Sequence, residues 1–141
     1  MMEKIFVDTD VIIDLLAERE PHFRDSALLF SAADRKKVSI GVSALSLFTI
    51  HHVLSKSLGK ESARRKLATF KTLVHVLPVN DKIVELALSS GFADPEDGLQ
   101  YFTALENNIR TLVTRNLKDY KAADIPVMTP SQFIKSQKSP S

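Results

Sequence analysis

The chain has 141 residues, 44% of them hydrophobic and 26% charged, and its 19 Lys and Arg against 17 Asp and Glu give a formal net charge of +2. This length and composition are typical of a single globular domain. The lack of cysteine excludes disulfide scaffolds, thiolate zinc sites and cysteine nucleophiles, so any metal site would consist largely of oxygen ligands. The sequence contains no apolar stretch of about 18 residues and has acids early at its N-terminus, so we expect no membrane span or secretory signal and predict a cytoplasmic protein.

Hydrophobic periodicity and turn residues predict short strands that alternate with longer helices. In chain order these are a strand at 4–7, a helix at 11–16 capped by Asp10, a helix at 22–35 after Pro21, a strand at 38–42, and helices at 43–58 and 60–72. A strand at 74–79, helices at 81–90 and 95–107, a strand at 110–114, a short strand at Val127 and a helix near Ser131 follow. On the helix at 22–35, the residues expected to face the core are Phe23, Ala27, Leu28 and Phe30.

This alternation is typical of an α/β fold with a mainly parallel sheet that helices cover on both faces. We expect one domain over residues 1–135 and a frayed tail over residues 136–141. Ligands of such sheets bind beyond the carboxyl ends of the strands. The residues that follow the strands are therefore the first candidates for a functional site.

Acidic and amide side chains follow two of the predicted strands and open one later helix. They are Asp8 and Asp10 after the first strand, Asn116 and Asp119 after the strand at 110–114, and Asp94, Glu96 and Asp97 at the start of the helix at 95–107. In a right-handed parallel sheet these segments can converge at one edge. Clustered carboxylates repel one another unless a cation neutralises them, and hard ions such as Mg²⁺ prefer oxygen ligands.

Some of these acids also have a simple structural explanation. Asp94 followed by Pro95 is a favourable helix start, and acids in a first turn stabilise the helix dipole. Asp10 is likewise a good helix cap. Asp8 is different, because an acid at the end of an apolar strand has a desolvation cost that favours a functional role. For Asp97 both explanations stay open.

At these residues the sequence resembles the PIN-domain nucleases, the family that includes the VapC-type toxins of bacterial toxin–antitoxin pairs. Four strings carry the resemblance in the right order, each beside the right kind of element, and together they span nearly the whole chain. They are VDTDVIID at 7–14, VSAL at 42–45, EDGLQY at 96–101 with Ala104, and TRNLKDY at 114–120.

The resemblance implies a three-layer α/β/α sandwich and an endoribonuclease that depends on Mg²⁺ or Mn²⁺. By position, Asp8, Asp97 and Asp119 match the metal-binding acids, and together with Asn116 they form the implied catalytic set. An antitoxin protein is the implied partner, and RNA is the implied substrate.

One departure from the family concerns the helix after the second strand, where the family usually has a Glu. This chain has Thr49 at about that place, with only a hydroxyl to offer. Some branches of the family carry an extra Glu beside the later Asp, as Glu96 does here. Thr9 is a candidate for holding a carboxylate or a water, and Arg115 is a candidate for gripping a scissile phosphate.

Two further features allow more than one interpretation. The helix at 60–72 is the most basic stretch, and its Lys60, Arg64, Arg65 and Lys71 fit an RNA backbone, an acidic partner or a solvated face. His51 and His52 are adjacent on a helix and point about 100° apart, so they cannot chelate one ion. Surplus apolar positions at 23–30 and 45–54 would suit a homodimer interface.

Three alternatives to a nuclease match parts of the sequence. A PIN domain that binds RNA or a partner without cutting is consistent with the missing Glu. A response-regulator receiver domain fits poorly, because the strand at 76–79 carries no Asp. A haloacid-dehalogenase-like phosphatase would use Asp8 and Asp10, but the chain leaves no room for its cap domain and TRN at 114–116 lacks its Lys.

Overall fold

A computed structural model describes residues 2–137 of the chain. Its centre is a sheet of five strands, all parallel, in the order β3-β2-β1-β4-β5. The strands are β1 (Glu3–Val7), β2 (Val38–Ser43), β3 (His75–Leu77), β4 (Leu112–Val113) and β5 (Val127–Met128). The predicted parallel α/β fold is therefore confirmed.

Seven α-helices cover this sheet, and a short 3₁₀ helix (Leu117–Tyr120) follows β4. They are α1 (Thr9–Leu16), α2 (Phe23–Asp34), α3 (Ala44–Leu58), α4 (Lys60–Lys71), α5 (Asp81–Leu88), α6 (Pro95–Glu106) and α7 (Pro130–Gln137). The expected tail overlaps α7, which includes Ser136 and Gln137, while residues 138–141 lie outside the described residues. No helix within residues 2–137 has the length and apolar character needed to cross a membrane.

The two faces of β1 belong to two separate apolar layers. Ile5 and Val7 point to one side and pack with residues of α1, α2, α3, α4 and α7, whereas Phe6 points to the other and packs with residues of α6 and Tyr120. This alternation follows from the two-residue period of a strand. All three β1 side chains are fully buried, so the sandwich has the predicted three layers.

Close packing on the second face requires a glycine in β2. A Cβ at Gly41 would lie 2.9 Å from side-chain carbons of both Ile109 and Leu77. Any larger residue would push these side chains away from the sheet.

Three details differ from the sequence expectations. The cap of α1 is Asp8 rather than Asp10. The helix begins at Thr9, directly after Asp8, and the Asp8 carboxylate accepts a hydrogen bond from the Thr9 amide. On α2 the buried apolar residues are Leu29 and Phe30, so the prediction for Phe30 is confirmed, while Leu28 is 40% exposed. The strand expected at 110–114 shortens to two residues, paired on both edges with β1 and β5.

Candidate active site

Asp8 occupies the carboxyl end of the central strand and is held from several directions. Its side chain is 8% exposed. Oδ1 accepts a hydrogen bond from the Thr9 amide at 2.8 Å, and Oδ2 accepts one from the Thr114 hydroxyl at 2.9 Å. Thr114 directly follows β4, the neighbour of β1, so sheet pairing itself brings these two side chains together. The carboxylate is thereby fixed in one orientation.

A network of hydroxyls and one amide lies beside Asp8, and we call Thr9, Ser43, Ser46 and Gln100 the hydroxyl–amide network. Gln100 is 2% exposed, and its Nε2 lies 2.9 Å from both the Thr9 and the Ser46 hydroxyl oxygens and 3.4 Å from Asp8 Oδ1. The Thr9 and Ser46 hydroxyls are 2.7 Å apart, and Ser46 is 3.1 Å from the Ser43 hydroxyl. The network therefore joins α1, α3 and α6 around the buried acid.

Asp10 lies in the first turn of α1 and is bound by a predicted site residue. Asn116 donates a hydrogen bond from Nδ2 to Asp10 Oδ2 at 2.7 Å. Burial, and after it the negative charge of Asp8, raises the pKa of Asp10 from 3.8 to about 7, although Arg115 opposes this. The other oxygen, Oδ1, is buried without a hydrogen-bond partner among the described residues.

Asp97, in the first turn of α6, shares its surroundings with four other acids. Burial is the largest cause that raises its pKa from 3.8 to about 7, followed by the charges of Asp8, Asp94, Asp119 and Glu96. The fold thus brings the acids of all three sequence segments within electrostatic reach of one another. Asp94 also caps α6 by accepting a hydrogen bond from the Glu96 amide at 2.9 Å, so its structural explanation is confirmed.

Arg115 has a fixed carboxylate partner inside the protein. Its Nε and Nη2 donate to the two oxygens of Asp14, a residue with no exposed surface, while the Arg115 side chain keeps 27% of its own surface exposed. Such a two-point contact fixes the plane of the guanidinium. Asp14 lies one helical turn beyond Asp10, so the cleft continues along α1.

Tyr120 closes the inner side of the cleft. It is 2% exposed, and its hydroxyl has no hydrogen-bond partner among residues 2–137. Burial and the nearby charge of Asp8 raise the pKa of this phenol far above its usual range, so it stays protonated.

Several predicted residues lie outside this cluster of contacts. Thr49 donates its hydroxyl to the Leu45 carbonyl of its own helix at 3.3 Å and is not part of the hydroxyl–amide network. His51 lies within 3.2 Å of the Lys60 carbonyl oxygen, a contact between α3 and α4. Four of the five basic residues of α4 are exposed: Lys60, Arg64, Arg65 and Lys71. The fifth, Lys66, donates a hydrogen bond to the Leu16 carbonyl at the end of α1 at 2.7 Å.

The chemistry of the cluster fits a hard divalent cation. Its donors are carboxylate oxygens that destabilise one another's charges, and Asp10 Oδ1 is a buried acceptor without a partner. Across residues 2–137, however, no three Asp, Glu or His side chains already stand close enough together to hold one ion. The acids share one electrostatic environment without forming a closed cage.

Five residues with contacts at the site were not predicted from the sequence: Asp14, Ser43, Ser46, Gln100 and Thr114. A signal existed for some of them. Gln100 is one helical turn from Asp97, and Asp14 is one turn from Asp10, so each lies on the face of its helix that carries an acid. Ser46 is likewise one helical turn from Thr49 on α3.

Comparison with known proteins agrees with this arrangement. A family model described as "PIN domain" matches residues 4–118. The chain belongs to the PIN domain family. This PIN domain is 29% identical over 136 residues to Ribonuclease VapC1 of Aquifex aeolicus, and the match covers 93% of each chain.

Solved structures share the fold of this PIN domain at lower identity. FitAcB from Neisseria gonorrhoeae is 19% identical with a TM-score of 0.70, and the match covers 90% of this chain and 98% of that one. A DNA-bound VapBC from Salmonella typhimurium is 20% identical with a TM-score of 0.67, covering 92% and 99%. The chain therefore shares its fold with these structures.

Proposed function

We propose that this PIN domain is an endoribonuclease of the VapC type that hydrolyses RNA phosphodiester bonds with the help of Mg²⁺ or Mn²⁺. The observation that supports the proposal is the electrostatic coupling of Asp97 to Asp8 and Asp119, whose charges add to the effect of burial in raising the pKa of Asp97. Similarity over nearly the whole length of a ribonuclease supports it. The proposed nuclease domain is residues 1–135, and its proposed place of action is the cytoplasm.

Three acids are the proposed ligands of the ion: Asp8, Asp97 and Asp119. When bound, such an ion activates a water and stabilises charge on the phosphate. The residues around them keep the site in order. The hydroxyl–amide network and Thr114 hold Asp8, and Asn116 holds Asp10. Glu96 and Asp94 add negative charge beside Asp97, which strengthens the attraction of a cation.

RNA binding is assigned to the exposed basic side chains of α4. Lys60, Arg64, Arg65 and Lys71 are exposed on this helix, and exposed cations on one helix bind a phosphate backbone mainly through charge. Arg115 is proposed to contact the RNA through the guanidinium nitrogens that Asp14 leaves free.

The proposed protein partners are an antitoxin and a second copy of the chain. Structures of relatives are described as toxin–antitoxin complexes, including one from Klebsiella pneumoniae with a TM-score of 0.66 and 22% identity. For the homodimer, α3 exposes Phe48 at 76% and Leu45 at 38%, and α5 exposes Leu88 at 71%. On α3, Phe48 and Leu45 are three residues apart and share one helix face, so together they offer an exposed apolar surface to a second copy.

A PIN domain that binds RNA without cutting it is the second candidate. It is favoured by Thr49, which bonds to its own helix where the family has a Glu, and by the absence of a three-acid cage within residues 2–137. Fewer carboxylates lower both the affinity for an ion and the rate.

One experiment separates the two. The purified protein is incubated with structured and single-stranded RNA, with Mg²⁺, Mn²⁺ or EDTA, beside Asp8→Asn, Asp97→Asn and the control Asp34→Asn on the exposed end of α2. Cleavage by the wild type and the control alone, and only with metal, is the expected result. Cleavage that persists in EDTA or in both site variants contradicts the proposal, and RNA binding without any cleavage favours the second candidate.

A further inference from the structure

A cavity of about 250 Å³ lies at Asp14, one helical turn beyond Asp10 on α1, and apolar atoms make up most of its wall. Its walls come from α1, the start of α2, Arg115 in the segment after β4, and the junction between β5 and α7. The lining includes Asp14, His22, Asp25, Ser26, Arg115 and Pro130. None of these residues except Arg115 has a role in the proposed cleavage.

The cavity and the acid cluster are continuous along one helix. Asp10 and Asp14 are one turn apart on α1, and they are bound by the adjacent residues Asn116 and Arg115. An RNA strand that follows α1 from the acid cluster would therefore pass this cavity.

The wall combines hydrogen-bond donors, acceptors and an apolar surface. Arg115 uses two of its five N–H groups on Asp14, which fixes the guanidinium while leaving the others free of that partner. Asp25 and His22 are half-buried, and Ser26 is 1% exposed with a hydroxyl that has no partner within the described chain. The buried ring of Pro130 adds an apolar wall. A buried polar group without a partner costs free energy, and a ligand can supply that partner.

We propose that this cavity binds a guanine base of the RNA, next to the phosphate held at the acid cluster, and so gives the nuclease its sequence preference. The inference rests on the proposed function. The volume suits one base, because pockets for drug-sized ligands start at about 300 Å³. Single-stranded RNA is commonly read in this way, with splayed bases held by their edges.

Guanine is the base whose edge matches this wall. Its N1–H and N2–H form a pair of donors for the Asp25 carboxylate, and its O6 and N7 are acceptors for the guanidinium of Arg115. Adenine, cytosine and uracil do not offer two adjacent donors together with two adjacent acceptors. They leave the carboxylate or the guanidinium partly unpaired, which lowers their affinity.

The test uses the four nucleoside 5′-monophosphates with the full-length protein in EDTA, so that it does not depend on cleavage. Binding is followed by titration in amide NMR spectra. We expect guanosine monophosphate to bind about tenfold more tightly than the other three, with shifts at Ser26, Asp25 and Ser131. Asp25→Asn should abolish this preference, whereas Asp34→Asn, on the exposed end of the same helix, should keep it.

Equal binding of all four nucleotides overturns the proposal, as do shifts confined to α4 or an unchanged preference in Asp25→Asn. Mapping of cleavage ends gives a second readout, in which the wild type cuts beside G and Asp25→Asn loses that bias. Binding of guanosine monophosphate without RNA cleavage would support the proposed base site and contradict the proposed nuclease activity. RNA cleavage without base preference would support the nuclease activity and contradict the base site.

Discussion

The side-chain amide of Gln100 lies 2.9 Å from the hydroxyl of Ser46, on a helix 54 positions away in the sequence. Both residues are almost completely buried, and both contact Thr9 beside Asp8. The orientation of the central acid therefore depends on two side chains that carry no charge. Partners of this kind around a metal ligand typically change the affinity for the ion by about 10 to 100-fold.

Ser46→Ala and Gln100→Met should each weaken Mn²⁺ binding by about tenfold while leaving the fold intact, because Asp8 loses the groups that orient it. Isothermal titration measures the affinity, and circular dichroism monitors the fold. Ser55→Ala is the matched control, since this hydroxyl of the same helix bonds only to the His52 carbonyl. Unchanged affinity in both network variants would show that Asp8 needs no such support.

The stability of the metal-free protein should fall as pH rises from about 4 to about 7. Burial and neighbouring acids raise the pKa of Asp10 and of Asp97 from 3.8 to about 7, so in this window the folded protein keeps protons that the unfolded chain has lost. Thermal melting in EDTA measures the effect. Mg²⁺ should raise the melting temperature more at pH 8 than at pH 5, because protons compete with the ion. A melting temperature in EDTA that rises across this range would contradict the prediction, and Asp97→Asn should flatten the slope.

Arg115→Met should destabilise the protein by about 3 kcal/mol, because Asp14 is completely buried and would lose its counter-charge. Urea unfolding measures this change. The double variant Asp14→Leu with Arg115→Met should recover most of the loss, since it removes both charges. Lys82→Met is the control, because its pair with Glu106 is largely exposed and should contribute less than about 1 kcal/mol. A small effect of Arg115→Met would mean that water reaches Asp14.

Thr49→Glu should tighten Mn²⁺ binding by about tenfold by adding a carboxylate at the place where the family has one. Thr49 is one helical turn from Ser46, so the longer side chain can reach the cleft. Thr69→Glu, on exposed α4, controls for the added charge. Equal affinities of Thr49→Glu and wild type would show that the other acids already fill the coordination positions available on the ion.

The wild type should elute as a dimer in size-exclusion chromatography with light scattering, and Phe48→Ser should shift it towards monomer. The reason is the 76% exposure of the Phe48 ring, which burial in an interface would remove from water. Leu58→Ser, at the exposed end of the same helix, should leave the dimer intact. A monomeric wild type would contradict the proposed homodimer.

Local sequence patterns were sufficient to locate the strands, the helices and the acids that follow them. Asp94 before Pro95 identifies the N-terminal cap of α6 from local sequence, and the apolar run before Asp8 identifies the end of a strand. The prediction of Asp10 as the cap of α1 was wrong. Asp8 and Asp10 are both residues that commonly cap helices, and only the burial of the strand end decides between them.

The contacts of the hydroxyl–amide network could not be predicted in the same way. Gln100 meets Asp8 across 92 positions, and a single polar residue on an amphipathic helix gives no indication of its partner. Thr49 matched the family position of a Glu by counting along the chain, but its hydroxyl turns back to its own helix. Side-chain direction depends on packing, which sequence spacing does not contain.

The Thr114 hydroxyl that holds Asp8 directly follows β4, and Gln100 lies in α6, the helix before that strand. During synthesis on a ribosome, β1 is made first but receives this neighbour only after residue 114 has been added and β4 has paired with β1. Asp8 therefore has its complete set of partners only after more than 100 further residues have been added. A growing chain lacks an ordered acid centre until β4 and the residue that follows it have been made.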